Sequence, residues 1–186
     1  MKIFFSTSPK SKKAYSKEIL AIYSYFHKNN ITLTDTYIEN INIEEFYRWN
    51  EKQKNKYYQD TINYIKKADI CIFEASYPSL GVGHLIGESL KLHKQVIVLY
   101  LKNHIPFIVE CANNENLFSV EYNLINLDHI LTKNLKYVSN VQDIRFNMML
   151  SPDIVNYMNK VSDENKLSKA SYIRQLIMKD KKEREE

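Results

Sequence analysis

Glycine is almost missing from this chain of 186 residues. It contains three glycines, where about 13 would be ordinary at a usual frequency of roughly 7%. All three, Gly81, Gly83 and Gly87, fall in one short stretch. Glycine is used where the backbone needs unusual freedom or where another group approaches it closely. The cluster therefore predicts one place of special backbone demand.

Cysteines and long apolar runs are also scarce. Two cysteines, Cys71 and Cys111, argue against a disulfide framework and favour a cytoplasmic location. Cys71 lies in an apolar strand pattern and is predicted to be a buried small hydrophobe. No paired Cys/His spacing accompanies it, so we expect no metal and no cofactor. No apolar run reaches the roughly 18 residues of a membrane helix, and Met1–Phe5 is typical of a first strand rather than a signal peptide.

The charge balance is mildly basic, with a net charge of +4 and a pI of about 8.8. This charge permits nucleic-acid binding without requiring it. The chain is rich in Lys, Asn, Ile and Tyr throughout. Tyrosine pairs such as Tyr57–Tyr58 are therefore a weak indication of base stacking.

Short apolar runs rich in β-branched residues alternate with helical patterns. They predict five buried strands: Lys2–Phe5, Ile31–Thr36, Asp69–Glu74, Gln95–Tyr100 and Leu117–Tyr122. Helices are predicted over Ser16–Lys28, around Tyr58–Ile65, over Gly83–His93 and over Leu124–Tyr137. The alternation predicts an α/β fold with a doubly wound, five-stranded parallel sheet of flavodoxin-like type. Ligands of such sheets bind beyond the carboxyl ends of the strands.

The glycines follow the third predicted strand, in the sequence Pro-Ser-Leu-Gly-Val-Gly from Pro78 to Gly83. A strand ends, Pro78 turns the chain, and two glycines open a helix. The N–H groups of Gly81, Val82 and Gly83 would face an anion there, assisted by the helix dipole and the Ser79 hydroxyl. An ordinary strand-to-helix turn would give the same pattern. The isolation of all three glycines at this place favours a binding site.

Ala68-Asp69, an apolar strand and then Pro-Ser-Leu-Gly-Val-Gly resemble the nucleoside 2-deoxyribosyltransferase family, in particular its 2′-deoxynucleoside 5′-phosphate N-hydrolases. The resemblance continues through Lys94-Gln-Val-Ile-Val-Leu and covers about three-quarters of the chain. It implies cleavage of the N-glycosidic bond in deoxynucleosides or their monophosphates. It also implies a nucleoside monophosphate ligand whose 5′-phosphate Ser79 helps to hold. Further ligand contacts are expected from Ser6, Thr7, Ser8, Glu74 and His84.

The two catalytic carboxylates of that family have no counterpart at the matching positions. Leu85 stands where the nucleophilic glutamate would be, and Thr61 stands where the assisting aspartate would be. Glu88 lies about 4.5 Å beyond Leu85 along a helix axis, and Asp60 is rotated from Thr61 by about 100°. Displacements of this size disrupt attack geometry. We therefore predict a non-catalytic site, with Glu88 and Asp60 as the alternative acids.

A different pattern begins at Arg145, where Phe146, Met148 and Leu150 alternate with Arg145, Asn147 and Met149. Ser151 and Pro152 then start a helix, 163–166 is predicted as a turn, and Ser168 caps a second helix. The second helix would turn Ala170, Ile173, Leu176 and Ile177 inward. A unit of about 40 residues cannot bury a core alone, so we expect a homodimer or a higher even oligomer.

This segment resembles a ribbon-helix-helix domain, in which two paired strands enter the DNA major groove. The resemblance implies base contacts from Arg145, Asn147 and Met149 and phosphate contacts from Ser168 and Lys169. Arginine and asparagine suit guanine and adenine edges. The segment from Arg145 to Lys182 carries eight Lys or Arg against four Asp or Glu, which is modest for a DNA-binding module. A dimerisation module without DNA is the alternative.

Three functions remain open. The favoured one is a dimeric DNA-binding regulator, with a nucleotide-binding domain at 1–138, a linker at 139–143 and a ribbon-helix-helix module at 144–182. The second is an N-glycosidase or deoxyribosyltransferase with rearranged acids, such as a defence-system effector. The third is an assembly or partner-binding subunit. The missing carboxylates separate the first from the second, and salt-sensitive DNA binding separates the first from the third.

Overall fold

The computed structural model describes residues 1–110, 114–140, 148–165 and 167–185. The chain divides into two compact units, Met1–Gln142 and Asp143–Glu186. The last helix of the first unit continues to Asn140, so it includes the first two residues of the predicted linker.

The first unit is built on a five-stranded parallel sheet, as the sequence predicts. The strands are β1 (Lys2–Thr7), β2 (Thr32–Leu33), β3 (Ile70–Glu74), β4 (Gln95–Leu101) and β5 (Leu117–Tyr122). Their order in the sheet is β2-β1-β3-β4-β5, and every pair is parallel. The strand order reverses between β1 and β3, and such a point opens a crevice at the carboxyl ends of the strands.

Helices cover both faces of this sheet. They are α1 (Pro9–Ala14), α2 (Ser16–Lys28), α3 (Tyr37–Asn40), α4 (Ile43–Arg48), α5 (Glu51–Lys67), α6 (Leu80–Lys91), α7 (Phe107–Glu110) and α8 (Leu127–Asn140). Alternate strand residues face opposite sides. Phe5 and Ile72 pack with α2 and α8, whereas Phe4 and Phe73 pack with α5 and α6. Cys71 is buried on the face of the sheet that packs with α5 and α6, and burial raises the pKa of its thiol to about 11.

Three local predictions in the first unit were wrong. The second strand is limited to Thr32–Leu33 at the sheet edge, because the Asp35 carboxylate accepts the Tyr37 N–H at 2.8 Å and turns the chain. The first strand extends beyond the predicted Lys2–Phe5, because Ser6 and Thr7 belong to β1 and Ser8 then caps α1 by accepting the Ser11 N–H.

The third correction concerns the glycines. Helix α6 begins at Leu80, so Gly81, Gly83 and Gly87 all lie within the helix, and none has a positive φ. Backbone freedom is therefore not what these positions require. A Cβ built on Gly83 or Gly87 would meet nothing within 4 Å, and one on Gly81 would lie 3.8 Å from Ser79 Oγ. The glycines leave open surface on α6.

The second unit contains two helices, α9 (Pro152–Asn165) and α10 (Lys169–Glu185), which contact each other. Ser151 and Ser168 precede them as predicted, and Ser168 Oγ accepts the Ser171 N–H at 3.1 Å. The predicted turn at 163–166 is wrong in its first part, because α9 continues to Asn165. In the single chain, several apolar side chains of this unit are exposed: Met148, Met149, Ile154, Ala170, Leu176 and Ile177.

The predicted strand of this unit is described only in part. Arg145 and Asn147 lie outside the described residues, and Met148–Leu150 has no regular secondary structure. Within the part of the chain that the structure describes, no helix has the length and apolar character needed to cross a membrane.

Candidate functional site

A cavity of about 460 Å³ lies at the carboxyl ends of β1 and β3, where the strand order reverses. Ser6, Thr7 and Ser8 border it from the end of β1. The segment that follows β3 contributes Pro78 and Ser79 and leads into α6. Most of the residues expected at a ligand site thus meet around one cavity, although they are far apart in sequence.

Aromatic side chains from α4 and α5 form one wall of the cavity: Phe46, Tyr47, Tyr57 and Tyr58. Trp49 packs against this wall. Its ring centroid lies 4.8 Å from that of Phe46 and 5.5 Å from that of Tyr57. Burial raises the pKa of Tyr57 to about 12, while the neighbouring Thr61 side chain acts in the opposite direction. The Tyr57 hydroxyl therefore stays neutral at physiological pH. This wall offers flat apolar surface to a planar ligand.

The start of α6 supplies polar groups to the cavity. Ser79 Oγ accepts the Val82 N–H at 3.4 Å, and the Gly83 N–H donates to the Ser79 carbonyl at 3.0 Å. These two N–H groups are therefore engaged within the helix, contrary to the prediction that they face an anion. The N–H groups of Leu80 and Gly81 precede the first intrahelical bond and remain the helix donors at this end. Lys10 also lines the cavity and adds a positive charge.

Carboxylates are absent from the described residues that line this cavity. The two positions that match the family's catalytic acids, Thr61 and Leu85, do line it. Thr61 enters from α5 and Leu85 from α6, one helical turn after Tyr57 and Gly81 respectively. The cavity wall is thus neutral and apolar where that family has two acids.

The two alternative acids lie elsewhere. The Glu88 carboxylate accepts a hydrogen bond from Lys91 Nζ at 2.7 Å, which holds the pKa of Glu88 below its usual value. Asp60 lines a separate cavity of about 310 Å³, which also contains Asp35. Burial, and to a smaller degree the charge of Asp60, raises the pKa of Asp35. Neither Glu88 nor Asp60 borders the cavity between β1 and β3.

Glu74 is also outside the cavity wall, although a ligand contact was expected from it. Its side chain is fully buried, with 0% exposed. One carboxylate oxygen accepts hydrogen bonds from the Thr7 hydroxyl, at 3.1 Å, and from the Ser11 hydroxyl, and the other accepts the Ser76 N–H at 3.1 Å. Glu74 therefore positions Thr7, which does line the cavity.

Among the other expected contacts, Ser6, Thr7, Ser8, Ser79, Gly81, Val82 and His84 border the cavity, and Gly83 does not. His84 is exposed and lies beside Tyr58, with 3.3 Å between its Nε2 atom and the Tyr58 hydroxyl. At the second unit, Met149, Ser168 and Lys169 are exposed in the single chain.

The aromatic wall and Lys10 were missed by the sequence reasoning. Two signals pointed to the wall. Asn50 and Gln53 form a capping box that starts α5 and fixes its direction. Tyr57 then lies four residues before Thr61, so the two share a helix face. Because tyrosine is abundant throughout the chain, the spacing of Tyr57 and Thr61 alone did not indicate a binding site.

No protein-family model and no curated protein matches the chain. Among solved structures, the fold is similar to that of Clostridium botulinum CMP N-glycosidase, BcmB, with a TM-score of 0.51. The two sequences are 17% identical, and the match covers 72% of this chain and 99% of that one. At this level of identity the likeness concerns the fold. It agrees with the predicted α/β fold built on a five-stranded parallel sheet.

Replacing Glu74 tests its positioning role. We expect Glu74→Ala to lower the free energy of unfolding by about 3 kcal/mol or more, because it leaves three buried donors without their acceptor, at roughly 1–3 kcal/mol each. Urea denaturation measures this loss. Glu88→Ala is the control, and it should leave the midpoint unchanged. Equal midpoints for Glu74→Ala and the wild type would contradict the role.

Proposed function

We propose that the first unit binds a nucleoside monophosphate without cleaving it. We further propose that the second unit pairs two chains and binds DNA, so that the protein is a ligand-responsive regulator. The observation that carries the first part is a cavity lined by aromatic side chains and by the start of a helix, with no lining carboxylate among the described residues.

The two kinds of lining group suit the two parts of a nucleotide. Aromatic side chains such as Phe46 and Tyr58 offer surfaces on which a base stacks. Ser79, Lys10 and the Gly81 N–H offer hydrogen bonds and positive charge to a phosphate at the start of a helix. The structural neighbour is named for a nucleoside monophosphate, CMP, which agrees with this ligand class.

The absence of cleavage follows from the chemistry of the wall. Cleavage of a glycosidic bond passes through an oxocarbenium-like transition state that two carboxylates serve, one on each side of the bond. Leu85 presents hydrocarbon and Thr61 a neutral hydroxyl at the positions expected for those groups. The Glu88 carboxylate accepts a hydrogen bond from Lys91, and Asp60 borders the separate cavity of about 310 Å³. The described wall thus has no group to stabilise the developing positive charge.

Ligand binding is tested by calorimetric titration with nucleoside 5′-monophosphates. We expect binding to the wild type and a loss of about tenfold to a hundredfold in Tyr58→Ala, because stacking on one aromatic side chain contributes roughly 1–3 kcal/mol. Tyr58 is 39% exposed, so this change should leave the fold intact.

Tyr137→Ala is the matched control for this titration. Tyr137 is 55% exposed on α8 and does not line the cavity, so its removal should not change ligand affinity. No binding of any nucleotide by the wild type at millimolar concentration would contradict the proposed ligand class.

Pairing of the second unit is supported by its exposed apolar side chains. Met148, Ile154, Leu176 and Ile177 are each at least 45% exposed in the single chain. A second copy would cover such side chains, and a ribbon formed by two chains requires a segment that is unpaired in one chain. Met148–Leu150 meets that requirement. Lys169, at the start of α10, is exposed and available to phosphate.

DNA binding is tested by gel-shift measurements on genomic fragments at two salt concentrations. We expect salt-sensitive binding of a dimer to a roughly palindromic site. Asn147→Ala should cost about 1–3 kcal/mol for the correct sequence, because it would remove a base contact. Lys169→Ala should weaken binding to all sequences alike, since a phosphate contact carries no sequence information.

Lys160→Ala is the control for the phosphate contact, because it removes the same charge from an exposed position on α9. It should weaken binding less than Lys169→Ala. A dimer whose DNA affinity is unchanged after both Arg145 and Asn147 are replaced would mean that the second unit only assembles the protein.

A further inference from the structure

The separate cavity of about 310 Å³ has an acidic lining that the first cavity lacks. The carboxylates of Asp35 and Asp60 line it together with one lysine, Lys56, so negative charge exceeds positive charge among its described lining residues. Both aspartates are half-buried, whereas Lys56 is exposed. The volume falls at the lower end of the range of small-molecule sites, so a small ligand would fit.

The two carboxylates face this space without a cation of their own. The Asp35 side chain is held in place by the Tyr37 N–H, which donates to its Oδ1 atom at 2.8 Å. Burial raises the pKa of Asp35, and the nearby charge of Asp60 adds to that effect. Within the part of the chain that the structure describes, neither aspartate forms an ion pair, with Lys56 or with any other basic side chain. Two like charges in a partly dry space repel each other, and a bound cation would relieve that repulsion.

Three aromatic rings complete the cavity wall next to these carboxylates: Tyr37, Trp49 and Tyr57. The Tyr37 ring centroid lies 5.5 Å from that of Trp49 and 5.0 Å from that of Tyr57, so the rings form one continuous surface. Each of the three is half-buried and keeps part of its surface open. Aromatic faces attract cations, tryptophan most strongly. Mg²⁺ and Ca²⁺ instead prefer a shell of oxygen ligands, so the rings favour an organic cation.

From this juxtaposition we propose that the cavity binds a small organic ammonium ion. The carboxylates of Asp35 and Asp60 face its positive charge, and the rings of Tyr37, Trp49 and Tyr57 cover its alkyl groups. Among the described lining residues, Tyr57 alone is shared with the nucleotide cavity. The inference therefore goes beyond the proposed nucleotide site and does not depend on it.

Titration of the full chain with choline, followed by tryptophan fluorescence, tests the proposal. Trp49 is the one tryptophan of the chain, so its emission reports on this cavity. We expect a saturable change at millimolar choline. The neutral isostere of choline, in which a tert-butyl group replaces the trimethylammonium group, has the same shape without the charge. It should bind about tenfold more weakly or less, because it lacks the attraction to the rings and carboxylates.

Charge-removing variants locate the binding. Asp60→Asn should weaken choline binding about tenfold, because it removes one of the two facing charges. Asp35→Asn should act in the same way, and its amide oxygen can still accept the Tyr37 N–H. Glu44→Gln is the matched control, since it removes an equal charge from an exposed position on α4 outside the cavity. Tyr58→Ala alters the nucleotide cavity alone and should leave choline binding unchanged.

Several results would overturn the proposal. Equal binding of choline and its neutral isostere would show a merely apolar pocket, and the same change with sodium chloride would show an effect of ionic strength. Binding of Mg²⁺ at lower concentration than choline would make the carboxylates a metal site. A wild type without a saturable response to choline would also contradict it. Failure of every nucleotide to bind would overturn the nucleotide site and leave this inference standing.

Discussion

The buried carboxylate of Glu74 holds together the end of the sheet on which the cavity depends. It joins β3 to Thr7 at the end of β1 and to Ser11 in α1. It also accepts the Ser76 N–H, and Ser76 Oγ in turn accepts the Leu101 N–H at 2.8 Å at the end of β4. Three neighbouring strand ends are therefore fixed by one network. Buried polar groups require such complete hydrogen bonding, so the geometry of this edge has little freedom.

That rigid edge supports a cavity with an unusual balance of groups. The described lining contains one lysine, one histidine and no acid, and four aromatic side chains face the same space. A neutral-to-positive site suits an anionic ligand. It lacks the negative charges that would stabilise the oxocarbenium-like transition state of glycosidic cleavage. In the proposed function, the cavity binds a ligand without reacting with it, because Leu85 and Thr61 stand at the positions that match the family's acids.

The sheet and its main helices were predictable because buried parallel strands leave short apolar runs, as in Gln95–Leu101. The location of the cavity was also predictable, because ligands of doubly wound parallel sheets bind beyond the carboxyl ends of the strands. The role of the glycines was not. Pro78 and the two glycines suggested a loop, but Ser79 caps the helix earlier than the glycine pattern implied. The aromatic wall depends on the register of α5 against the sheet, which is a tertiary property that local pattern does not reveal.

The central claim is that this cavity holds an intact nucleotide. Native mass spectrometry of the full chain after prolonged incubation with CMP, and in parallel with the other nucleoside monophosphates, tests it most directly. The account predicts a bound species with the mass of the unchanged nucleotide and no free base in solution. Recovery of a bound sugar phosphate together with released base would contradict it, and would show that the site is an N-glycosidase.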